Sequence, residues 1–131
     1  LIWAFDDQER SIRIEAYRIL GYTEKALSDI HWNIRLEAYR SLGFTEKAFD
    51  DEDEDIRIEA YRELGFTEKA LNDIKWEIRI EAYRELGFTE KAFDDEDEDI
   101  KISARKYFEL EAKYTKEEAK KIIDLWKLEK L

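Results

Sequence analysis

Residues 53–70 read Asp-Glu-Asp-Ile-Arg-Ile-Glu-Ala-Tyr-Arg-Glu-Leu-Gly-Phe-Thr-Glu-Lys-Ala, and the fold class follows from how this stretch divides. Asp53 stands where a helix N-cap is expected, and Glu54 and Asp55 place negative charge at the positive end of the helix dipole. Ile56, Ala60 and Leu64 recur at i, i+4 and i+8 and form one apolar stripe, while Ile58 and Tyr61 lie on a second. Two stripes on one short helix mean a neighbour on each side. Gly65 sits where a left-handed C′ residue ends a helix, and Phe66 takes the C″ place of a Schellman-type stop. Thr67 then predicts the N-cap of a second helix from Glu68 to about Asn72, with Ala70 and Leu71 facing inward.

Outward from this stretch the pattern recurs. Ile-Arg-Ile-Glu-Ala-Tyr-Arg occupies 12–18, close copies start at Ile34, Ile56 and Ile78, and a degraded one starts at Ile100, evenly 22 residues apart. All four glycines, Gly21, Gly43, Gly65 and Gly87, share one phase, and Thr23, Thr45, Thr67 and Thr89 follow each of them by two residues. No useful strand alternation occurs, so the array is all-α. A repeat this small cannot bury its own apolar face and is stable only when stacked, which predicts an α-solenoid of tandem helix-turn-short-helix repeats. Ala16, Ala38, Ala60, Ala82 and Ala104 mark the position of closest helix approach, where a larger residue overpacks. Beyond Ile100 the pattern decays, with Arg105 in the Tyr place and Glu109 in the Gly place. A helix capped by Thr115, with Ala119, Ile122, Ile123 and Trp126 on one stripe, reads as a C-terminal cap. The expected organisation is one domain over 1–131: a remnant of a preceding repeat at 1–11, repeats over 12–108 and the cap at 109–131. Ala4-Phe5-Asp6-Asp7 matches Ala48-Phe49-Asp50-Asp51, and the apolar run Leu1–Phe5 leaves an unsealed end suited to end-to-end self-association.

A second period lies inside the first. The links at 26–34 and 70–78 carry Trp32 and Trp76, whereas 48–56 and 92–100 both read Ala-Phe-Asp-Asp-Glu-Asp-Glu-Asp-Ile, so the full period is 44 residues. The two all-acidic runs, 50–55 and 94–99, account for the net charge of −11 almost entirely. The same composition excludes several classes of function. With no Cys, a disulfide framework, a thiolate zinc site and a Cys nucleophile are all absent. One His and no Gly-rich loop leave neither a Ser-His-Asp triad nor a phosphate cradle. The longest apolar run is far short of the ~20 residues needed to span a bilayer, and no signal-peptide pattern opens the chain. The expectation is a cytoplasmic protein, not an enzyme, with no cofactor and no metal. An acidic chain without a basic stripe also argues against direct nucleic-acid binding.

The phrase from Asp51 to Ala70, above all Asp51/Asp53, Ile56-Arg57, Ala60 and Thr67-Glu68 to Ala70, resembles the leucine-rich repeat variant class over about residues 4–108. That resemblance implies a right-handed superhelix of alternating long and very short helices. The family repeat is slightly longer and its turn commonly carries Asn and Pro, where this chain has Gly. The cysteine cluster of some members is absent here, so no iron–sulfur role follows. HEAT-like repeats, whose length matches the 44-residue pair, are the nearest competitor.

Candidate contact residues are the link acids Asp50, Asp51, Asp53, Asp55, Asp94, Asp95, Asp97 and Asp99, together with Trp32 and Trp76. Asp51, Asp53 and Asp55 are spaced like the first ligands of an EF-hand loop, but Ile56 and Arg62 take the places of its Gly and Glu, so that reading fails. The remaining readings of the acids are helix capping with a solvated rim, recognition of a basic protein partner, or, least favoured, a looser divalent-cation site. Trp32 and Trp76 either pack on the adjacent helix or, if exposed, mark an interface. His31, replaced by Lys75 in the sister link, reads as a surface residue. Arg13, Arg35, Arg57, Arg79 and Lys101 form one ladder, and Arg18, Arg40, Arg62 and Arg84 another. Glu15, Glu37, Glu59 and Glu81 recur two or three residues from these arginines, and ion pairing within and between repeats is expected to set register more than stability. The expected function is a helical-repeat scaffold that binds a protein partner through its acidic links. A structural or designed spacer, or a fragment of a longer array, is the alternative, and an acidic mimic of nucleic acid is the weaker one.

Overall fold

The computed structural model describes the backbone of residues 2–130 and all their side chains except those of Ile2, Lys116 and 126–130. Among the described residues there are six α-helices, α1 (Arg10–Leu20), α2 (Trp32–Leu42), α3 (Glu54–Leu64), α4 (Trp76–Leu86), α5 (Glu98–Glu111) and α6 (Lys116–Lys130), and short 3₁₀ helices at Ile2–Asp6, Glu24–Ser28, Glu46–Asp50, Ala70–Asn72 and Glu90–Asp94 precede α1 to α5 in turn. No strand occurs among the described residues. The chain divides into two compact halves, Leu1–Gly65 and Phe66–Leu131. Within each half, successive helices pack on one another, and every short helix packs against the long helix that follows it. The packing module is therefore short helix, link, long helix, offset from the long-turn-short order in which the sequence reads.

The second helix expected at Glu68 is a 3₁₀ turn confined to Ala70–Asn72, and its sisters span five residues each. So short a piece closes i→i+3 bonds more readily than α-helical ones. Thr23, Thr45 and Thr89 do occupy the cap position, but their hydroxyls make no capping bond. The backbone serves instead: the Ala48 N–H donates to the Thr45 carbonyl at 3.0 Å. The glycine stop also differs in kind. Gly43 has φ 104° and ψ 142°, outside the left-handed helical basin of a Schellman turn and in a region essentially reserved for glycine. Its N–H donates to the Tyr39 carbonyl at 2.7 Å, which extends the helix by one bond before the chain swings out. A Cβ there would meet nothing within 4 Å, so backbone conformation, not crowding, requires the residue. Where Glu109 replaces this glycine, α5 runs on to Glu111.

The core repeats with the sequence. Tyr17, Tyr39, Tyr61 and Tyr83, Ile34, Ile56, Ile78 and Ile100, and the five expected alanines are all buried. Each tyrosine stacks on neighbouring rings: Tyr17 on Phe5 and Tyr22 at 4.6 and 5.3 Å, Tyr39 on Phe44 at 5.5 Å, Tyr61 on Phe49 at 4.3 Å, Tyr83 on Phe88 at 5.6 Å. The aromatic after the glycine thus folds back on the helix as a Schellman C″ residue does, without that motif's backbone. Leu64 departs from its expected buried stripe: it closes α3 beside Gly65 and is exposed, so Ile56, Arg57, Ala60 and Tyr61 carry the burial. At the C-terminus the Thr115 hydroxyl accepts the Glu118 N–H, as an N-cap does, and donates to the Glu118 carboxylate, both at 3.2 Å. Ala119 and Ile123 are buried where α6 packs on α5, and the Trp126 side chain lies outside the described residues.

Candidate functional site

The links between repeats are the chemically distinctive surface, and each is built around one aspartate. The Asp51 carboxylate accepts the Asp53 N–H at 2.9 Å through Oδ1, closing an Asx turn that aims the chain into α3. The same oxygen accepts Arg35 Nη2 at 2.9 Å, and Oδ2 accepts Arg35 Nε at 2.9 Å. Arg35 Nη1 donates to the Asp29 carbonyl at 2.9 Å. One guanidinium therefore reads the backbone of its own link and grips the carboxylate of the next. The pattern repeats. Arg13 holds Asp29 at 2.8 and 3.0 Å and the Asp7 carbonyl at 2.9 Å. Arg79 holds both Asp95 oxygens at 3.0 Å and the Asp73 carbonyl at 2.8 Å. The pairs are enclosed: side-chain exposure is 8% for Arg35 and 7% for Asp51.

This ladder bears on two sequence expectations. Pairing between repeats holds, but Arg13, Arg35 and Arg79 take link aspartates sixteen residues ahead as partners rather than the nearby glutamates, while Lys101 meets Glu98 on its own helix at 3.4 Å. The reason is reach: an arginine on the first turn of its helix lies beside its own link and under the next. The second ladder does meet the glutamates, with Arg40 on Glu37 and Glu59 at 2.8 Å each, Arg40 and Glu37 exposed and Glu59 half-buried. Asp51 and Asp95, two of the candidate contact residues, are consumed by the clamp and present no carboxylate outward. Asp53 and Asp97 are spent as helix caps, Asp53 Oδ1 accepting the Asp55 and Ile56 N–H groups at 3.0 and 3.2 Å and Asp97 the Ile100 N–H at 3.1 Å. Asp50, Asp55, Asp94 and Asp99 remain exposed, together with Glu52, Glu54, Glu96 and Glu98.

Electrostatics follow the geometry. Burial works to raise the Asp29 carboxyl, but the Arg13 fork and the His31 N–H outweigh it and hold it below the ordinary 3.8. Asp95 is lowered in the same way by Arg79 and the Asp97 N–H, again against burial. A carboxyl lowered in the folded state contributes stability that is complete above its unfolded pKa and lost as pH falls through its folded one. The urea midpoint of the native chain should thus exceed that of Asp29→Asn by a constant margin above about pH 4, and the margin should shrink steadily below it. A margin unchanged down to pH 2 would refute the clamp's ionic character.

The Trp-bearing links expose apolar side chains in the places where their sisters expose acids. Trp32 and Trp76 are 43% and 38% exposed, so packing against the adjacent helix does not hide them. Ile30 and Ile74, at 86% and 88%, are the most exposed large apolar residues described. Sequence reading passed over both because isoleucine in a helical array reads as core. The available signal was the alternation: Glu52 and Glu96 hold the same place in the sister links, and a place that accepts Glu faces water. His31 is not the plain surface residue expected. At the N-cap of α2, its Nε2 accepts Arg10 Nη1 at 2.8 Å while its Nδ1 is buried without a partner.

Among the described residues no group of three or more His, Cys, Asp or Glu side chains is arranged to hold a metal ion, and no helix is long and apolar enough to cross a membrane. No family model, no curated protein and no solved structure matches the chain.

Proposed function

We propose that this chain is a non-enzymatic α-solenoid of the leucine-rich repeat variant or short HEAT-like kind, and that it binds a protein partner along its links. The observation that carries the reading is the pair Ile30 and Ile74, almost fully in water beside the exposed Trp32 and Trp76. Leaving such side chains uncovered has a cost in every unbound molecule, and exposed apolar patches rimmed by polar residues are characteristic of interaction sites. In each half one Trp-bearing link is followed by one acidic link, so the partner segment that fits combines an apolar anchor with Lys or Arg. Tryptophan supplies the anchor contact that dominates such interfaces, and the exposed carboxylates supply orientation and on-rate.

The sister links provide a test that leaves the fold alone. Ile30→Glu, Trp32→Glu, Ile74→Glu and Trp76→Glu install residues that the same places already accept at 52, 54, 96 and 98. Affinity purification with the native chain should recover a protein partner that elutes with salt, and the quadruple variant should lose it while unfolding at an unchanged urea concentration. Equal recovery by both chains would overturn the reading.

A further inference from the structure

Within Leu1–Gly65 each later repeat is completed by the one before it in two ways. Ile34 lies in one buried cluster with Tyr17, and Ile56 in another with Leu36 and Tyr39, both isoleucines fully covered. The Asp29 and Asp51 carboxylates are held by Arg13 and Arg35 of the preceding helix. At α1 both completions are missing, and on the same side. Ile12, the counterpart of Ile34 and Ile56, is 38% exposed. The Asp7 carboxylate, the counterpart of Asp29 and Asp51, makes its Asx turn to the Glu9 N–H at 2.9 Å, but among the described residues no arginine side chain grips it. The rest of this repeat is fully formed, with Ala4, Ala16 and Tyr17 buried and Arg13 in its clamp. Ile19, seven residues beyond Ile12 on the same stripe of α1, is 57% exposed and stands where the next repeat has Ser41, which widens the apolar face.

We propose that this face of α1 is a docking face for one more repeat of the same class. The long helix of that repeat covers Ile12, and its arginine in the place of Arg13 and Arg35 grips the Asp7 carboxylate, continuing the interface that Arg13–Asp29 and Arg35–Asp51 already repeat. A second copy of the chain does not present a matching end. Its last repeat has Lys101 in the arginine place, and α6 packs on α5 with Ala119 and Ile123 buried. The inference rests on the stacked-array part of the proposed function and is independent of its protein partner.

The test fuses a copy of residues 23–44 directly in front of Leu1, which sets the copied Arg35 sixteen residues before Asp7. The readout is amide hydrogen exchange of α1, which needs no partner and so separates failure here from failure of the binding reading. In the fused chain the α1 amides should exchange about tenfold more slowly than in the unextended chain. Asp7→Asn, which keeps the acceptor for the Glu9 N–H, should remove part of that gain in the fused chain and change nothing in the unextended one. Unchanged α1 exchange in this fusion and in one built from residues 45–66 would overturn the proposal. So would sedimentation showing the unextended chain to dimerise with α1 protected, which makes a second copy the occupant.

Discussion

Arg35→Ala is expected to destabilise the half Leu1–Gly65 by about 3–5 kcal/mol, the usual cost of breaking an enclosed ion pair by removing one partner. The substitution deletes two charge-assisted bonds to Asp51 and one to the Asp29 carbonyl, and it leaves a carboxylate with 7% exposure and no counter-ion. Its control lies five residues along the same helix. Arg40 makes equally short contacts to Glu37 and Glu59 but its side chain is 48% exposed, and Arg40→Ala should cost no more than ~1 kcal/mol. Urea unfolding followed by circular dichroism separates the two. Arg35→Met combined with Asp51→Asn should lose less than Arg35→Ala alone, because no charge is stranded and the amide oxygen still accepts the Asp53 N–H. If Arg35→Ala and Arg40→Ala prove equal, the buried ladder does not hold the repeats together.

Tyr39→Ala should cost about as much, ~3–5 kcal/mol, by a different route. The ring is 1% exposed, stacks on Phe44 at 5.5 Å and shares a cluster with Leu36 of its own helix and Ile56 and Ala60 of the next. Its loss opens a void between two repeats that neither can close alone, because each repeat has too little core of its own to collapse into the gap. The ring rather than the hydroxyl should matter. Tyr83→Phe is the comparator: its buried hydroxyl has no hydrogen-bond partner, so removing it should leave stability nearly unchanged. A drop in the urea midpoint for Tyr83→Phe as large as for Tyr39→Ala would contradict this account of the core.

How far the links could be read in advance depended on the chemistry of each residue. Asp53 was legible as a cap because that role is local: a side-chain oxygen meets N–H groups two and three residues ahead, and sequence distance is the only variable. Asp51 was not, because its decisive partner is Arg35, sixteen residues earlier, and both residues have nearer charges with which to pair on paper. Only the stacking of one helix beside the next link selects among them. Ile30 and Ile74 escaped notice for the same reason, since hydrophobicity predicts burial only when a neighbour is placed to supply it.

Periodicity by itself determined the helical class, the 22-residue repeat, the buried Ile-Ala-Tyr stripes and the glycine stops, because these depend on helix geometry and on backbone conformations that few residues can adopt. Tertiary structure alone decided that the short helices are 3₁₀ turns packed on the helix that follows, that Asp51 and Asp95 are internal struts and that Ile30 and Ile74 face water. The division has a physical cause. Hydrogen bonds along a helix join residues three and four apart and are written in the chain, whereas burial and ion pairing depend on which surfaces meet once neighbouring repeats are packed.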